Sequence, residues 1–163
     1  MHDYITNDNV IIFAPEYNKP LSLELNIQSN WKKIIFSNYV LNNRLFEAYV
    51  LNNRLFEAWE NSNFDNFALI CSKFNQPLGN ALNNCTELTH IIFGYSFNQP
   101  LGNSLDNCTK LTHIHFGCEF NQQLTNSLHN CTALTHIKFD YGFNKFLSNS
   151  LDYCTALTHI EFG

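Results

Sequence analysis

Charge is scarce in this chain. Only 14% of its 163 residues are Asp, Glu, Lys or Arg, and the acids outnumber the bases 14 to 9, for a net charge of −5. So few cations leave no basic patch to neutralise a phosphate backbone and no polybasic segment for an anionic membrane surface. Neither nucleic acid nor membrane is therefore an expected partner. Long apolar runs are missing too: Val10-Ile11-Ile12-Phe13-Ala14 is too short for a signal peptide or a span. Met1-His2-Asp3-Tyr4 carries a His and an Asp where a signal peptide needs Lys or Arg. A cytoplasmic location is expected, in the host if the chain is viral, and the 6 cysteines should then be reduced thiols. No nucleotide-binding loop, nucleophile elbow or paired-carboxylate arrangement is present, and the acids fall at unrelated positions. No catalytic activity and no cofactor are expected.

What the chain does have is apolar bulk and repetition. Apolar residues make up 45% and aromatic residues 15%, 15 of them Phe, enough to fill a core. From Phe74 the chain states one 23-residue sentence four times, at residues 74–96, 97–119, 120–142 and 143–163. Its form is Phe97-Asn98-Gln99-Pro100-Leu101, a polar stretch to Asn107-Cys108-Thr109, then Leu111-Thr112-His113-Ile114-His115-Phe116-Gly117. Tandem self-similarity at this period is the signature of a solenoid, in which each coil buries its apolar face against its neighbours.

Residues 1–73 are a degenerate version. Val10-Ile11-Ile12-Phe13 matches His90-Ile91-Ile92-Phe93, and residues 1–16 resemble the second half of a coil. Tyr17-Asn18-Lys19-Pro20-Leu21 opens a drifted copy in which Leu25, Trp31, Ile34 and Phe36 take the places of Leu105, Leu111, Ile114 and Phe116. Residues 39–48 and 49–58 are identical, a ten-residue tandem duplication. Residues 64–69 resume the apolar spacing, so the duplicate reads as an insert within an ordinary coil. It either binds a partner or is a tolerated surface duplication.

Within a coil, Ile114 and Phe116 alternate with His113 and His115, the period of a strand with one buried face. Gly117 permits a turn that a side chain would obstruct. Pro100 has no N–H to give, which excludes a central strand there. Leu101, Leu105 and Cys108 fall at i, i+4 and i+7, one face of a short helix. The expected fold is an α/β repeat: a leucine-rich-repeat-like solenoid with a single parallel sheet of short strands and short helical or irregular return segments. Phe-Asn-Gln-Pro-Leu followed by Leu-Thr-His-Ile-x-Phe-Gly resembles the FNIP-repeat family, leucine-rich-repeat relatives abundant in giant DNA viruses and amoebae. The resemblance is clean over 74–163 and drifted back to about residue 10. It implies a protein-interaction scaffold. Members often follow an F-box, and residues 1–16 are too few to form one.

Stacking turns each repeated position into a column. His90, His113, His136 and His159 should face outward, either to bind a metal or anion or to serve the stack through ring contacts and the neighbouring threonines. Cys85, Cys108, Cys131 and Cys154 should face the core as small apolar groups, too far from the histidines to share a metal. Asn75, Asn98, Asn121 and Asn144 should bond turn backbone from coil to coil. One outward column varies from coil to coil: Ile92, His115, Lys138 and Glu161. A protein partner is expected on this strand face, at His90, Ile92, His113, His115, His136, Lys138, His159 and Glu161. The alternatives are a structural or truncated repeat protein lacking an effector domain, or a metal-binding protein using the His column. End-to-end self-association is also expected, because an uncapped solenoid end exposes apolar surface.

Overall fold

The computed structural model describes residues 4–7, 10–14, 16–21, 31–36 and 73–163. They build one sheet from β1 (Tyr4–Asn7), β2 (Val10–Phe13), β3 (Lys33–Phe36), β4 (His90–Ile92), β5 (His113–Phe116), β6 (His136–Phe139) and β7 (His159–Phe162), ordered as in the sequence. β2 to β7 run parallel and in register, so His90, His113, His136 and His159 stand side by side. The fold is the expected parallel-sheet solenoid.

Each strand exists because its alternate residues have an apolar destination. Leu111, Ile114 and Phe116 are 0–2% exposed, and their counterparts Leu134, Ile137 and Phe139 are 0–1% exposed. Phe13, Phe36, Phe93, Phe116, Phe139 and Phe162 form one stacked row, with centroids 5.0–5.9 Å apart. Phe74, Phe97, Phe120 and Phe143 form a second row, each 4.0–4.1 Å from a ring of the first. A fully buried Phe contributes about 1.5–3 kcal/mol, so this double row is the main cohesive element between coils.

The return segments take the irregular form, and no α-helix occurs among the described residues. In the coil 97–119, N–H groups of Ser104, Asp106, Cys108 and Leu111 donate to Leu101, Asn103, Leu105 and Cys108 at 2.9–3.1 Å, each three residues back. Gly102 sits at φ 53°, which no α-helical residue adopts, so the first of these turns cannot be part of a helix. The apolar face at i, i+4 and i+7 still points inward, with Leu101, Leu105 and Cys108 at 0–3% exposure. The Asn column bonds coil to coil as expected. The Oδ1 atoms of Asn18, Asn75, Asn98 and Asn121 accept the N–H of Asn75, Asn98, Asn121 and Asn144 at 2.9–3.0 Å. At Gly117 a Cβ would lie 2.3 Å from the Gly94 carbonyl oxygen, so the turn after β5 admits no side chain.

Two features depart from simple repetition. β1 folds back antiparallel on β2, linked by two residues, with Tyr4 opposite Phe13 and Asn7 opposite Val10. It occupies the outer edge of β2, the strand of the half-coil read at residues 1–16. β3 pairs directly with β4, and Asn18 with Asn75, 57 residues apart in place of 23. The 34 extra residues fall between Phe36 and Phe74 without interrupting the stack. Leu25, the duplication at 39–58, the stretch 64–69 and Cys71 lie outside the described residues.

Candidate binding face

Alternation along the strands sends two stripes to the outer side of the sheet. The first is the His column. Adjacent imidazoles stack with centroids 4.4 Å apart and planes within 4–7°. Each Nδ1 lies 2.8 Å from the hydroxyl of the preceding threonine. Those hydroxyls donate to a carbonyl one coil back, Thr112 to Thr89 at 2.9 Å and Thr135 to Thr112 at 3.0 Å. A hydroxyl has one hydrogen, so with it directed to the carbonyl the imidazole must donate through Nδ1–H. Nε2 then carries the lone pair. Parallel rings aim these lone pairs side by side rather than at one point, which suits stacking and not chelation. Among the described residues no group of three or more His, Cys, Asp or Glu is placed to hold a metal ion.

The second stripe is Ile12, Ile35, Ile92, His115, Lys138 and Glu161, aligned by the register. Its first three members are 2–5% exposed, although none belongs to the continuous core cluster. Ile92 therefore offers no surface to a partner. The accessible part begins at His115, where an open trough is lined by His113, His115, His136, Lys138, His159 and Glu161 with Ile91, Ile92, Ile114 and Ile137 at its floor. Lys138 Nζ lies 2.6 Å from Glu161 Oε1, an exposed pair that neutralises itself.

One cluster escaped the sequence reading. His115 Nε2 lies 3.1 Å from Asp140 Oδ1, and Cys118 Sγ donates to Asp140 Oδ2 at 3.6 Å. Burial raises the Asp140 pKa, but the His115 hydrogen bond and charge outweigh it, helped by Cys118 and Lys138, and hold it below the usual carboxylate value. Burial and the Asp140 charge push the Cys118 thiol up. The signal was present in the repeat: Asp140 occupies the place that Gly94, Gly117 and Gly163 hold in the other coils. It ties the loop after β6 to β5, so His115 is partly committed to the scaffold.

The Cys column faces the core, as its spacing suggested. Burial raises Cys85 to about 11 and Cys108 and Cys131 to about 12. These thiols stay protonated near neutrality, and a thiol is neither nucleophile nor good metal ligand. They pack.

Together the register and the outward stripes define a solenoid of the leucine-rich-repeat kind. No known family's sequence profile and no curated protein sequence matches the chain. A solved structure, the circular leucine-rich-repeat protein CroV588, is similar in fold over 99% of this chain at 20% identity and a TM-score of 0.46. The chain spans 32% of that protein's length. No helix among the described residues is long and apolar enough to cross a membrane.

Proposed function

We propose that the chain is a non-catalytic scaffold that binds a partner protein through the outer strand face, at His115, Lys138 and Glu161 with the flanking histidines. The observation that supports this reading is the contrast between two neighbouring stripes. The His column repeats without change and is consumed by stacking and threonine bonds, whereas the column beside it changes chemistry at each coil and lines an open trough. Stack maintenance explains an invariant column. It does not explain a variable one that remains accessible.

The FNIP-like wording of the repeats is in keeping with such a role. The experiment is affinity capture from an extract of the source cells with two baits, the wild-type chain and the triple variant His115→Ala, Lys138→Ala, Glu161→Ala. Circular dichroism first establishes that both baits are folded alike. A partner retained by the wild type and lost from the variant is expected. Identical capture by the two folded baits would remove the strand face from consideration.

A further inference from the structure

Four titratable rings stand in one file on the outer side of the sheet. His90, His113, His136 and His159 are aligned by the register, with neighbouring centroids 4.4 Å apart and planes 4–7° from parallel. Neutral imidazoles tolerate that arrangement. Imidazole is also the side chain whose charge changes in the mildly acidic range. Because each Nδ1–H is held by a threonine hydroxyl at 2.8 Å, a second proton enters at Nε2 and leaves that bond intact. The ring stays in place as it charges.

The surroundings do little to balance such charges. Glu161, two residues from His159, is bound by Lys138 at 2.6 Å. Asp140, on the loop after β6, is bound by His115 at 3.1 Å and accepts a hydrogen bond from Cys118. Both acids thus already have a basic partner. Those partners, Lys138 and His115, stand two residues from His136 and His113 on the same side of the sheet. On β3 the position in register with His90 is a further cation, Lys33.

We propose that the His column is an acid-sensitive clasp, which binds β4 to β7 together while its rings are neutral and loosens them once neighbouring rings are charged. The first protons settle on rings that are not neighbours, about 10 Å apart at two strand spacings. Each later proton enters beside a charged ring 4.4 Å away, which makes it on the order of tenfold harder to add. An unfolded chain keeps its imidazoles apart and takes up the same protons freely. It then binds more protons than the folded chain does, so stability falls as the pH falls. β2 and β3 carry Val10 and Lys33 in the register of the column and lie outside the clasp.

Urea denaturation of the 163-residue chain from about pH 8 to about pH 5 tests this. The midpoint should fall on acidification, and salt at about 1 M, with a screening length of about 3 Å, should recover most of the loss. His113→Gln puts a neutral amide in the file and leaves His136 and His159 as its one stacked pair. It should reduce the fall by roughly two-thirds if the pairs contribute equally. His129→Gln, on the return side of the coil, should leave the fall as it is in the wild type. Should His113→Gln not fold, the wild-type ring resonances decide by NMR: they should titrate over a wider span than an independent site, and salt should narrow that span. A midpoint that does not move with pH would overturn the proposal. So would a fall that salt leaves intact or that folded His113→Gln retains in full, or ring resonances that each follow an independent single-site curve.

Discussion

Thr125 stands at φ 43° and Ser148 at φ 42°, in the column where the two preceding coils place Gly79 at φ 52° and Gly102 at φ 53°. The left-handed region costs an L-residue roughly 1–2 kcal/mol, and a β-branched side chain suffers most. The turn is imposed by the stack, since Ser127 must still return its N–H to Leu124 as Ser104 does to Leu101. Thr125→Gly should therefore stabilise the chain by about 0.5–1 kcal/mol, less than the full strain because glycine also frees the unfolded chain. A urea midpoint that rises shows the gain; an unchanged or lower midpoint would mean that the threonine side chain contributes as much as its backbone loses. At this scale the sequence is half legible. The 23-residue period lines up Gly79, Gly102, Thr125 and Ser148, but it does not say that their shared φ is positive. The Asp140 cluster is similar: the break in the glycine column is plain, and the His115 and Cys118 partners require coordinates.

Elements were legible wherever a period of two met a fixed destination. His113 to Phe116 reads as a strand because its alternate residues have a core to enter, and the same holds at β6. The helical spacing of Leu101, Leu105 and Cys108 named the buried residues but not their backbone. A chain of i→i+3 turns buries the same three positions, and the hydrogen bonds run three residues back in place of four. β1 gave no sign, because four residues without a repeat partner carry no period. The Asn column is the element on which the return segments depend. Asn98 Oδ1 accepts both the N–H of Asn121 at 2.9 Å and the Nε2–H of Gln122 at 3.0 Å. Asn98→Ala leaves both donors half-buried without that acceptor, at a cost of about 1–3 kcal/mol. Asn98→Asp keeps an acceptor in place and should lose less. Equal losses in chemical denaturation of the two variants would show that the amide acts through packing rather than through its oxygen.

Among the described residues, strands contact only their immediate neighbours, so stability there is a sum over adjacent interfaces. The pairing of β3 with β4 across 57 residues shows how local this rule is: the two strands keep register although 34 residues more than one period separate them. The same rule makes the ends unequal. Among the described residues, β2 has β1 on its outer edge, whereas β7 pairs with β6 alone, with Phe162 56% exposed where Phe139 is 0%. Removing the cover from a large apolar side chain forfeits a substantial part of its 1.5–3 kcal/mol, and local opening follows local stability. Amide exchange should therefore be slowest in β5 and β6 and fastest in β7, by roughly tenfold for each 1.4 kcal/mol of difference. Uniform exchange from β5 to β7 would mean that the coils open together, and that the strength of each interface exceeds what nearest-neighbour packing supplies.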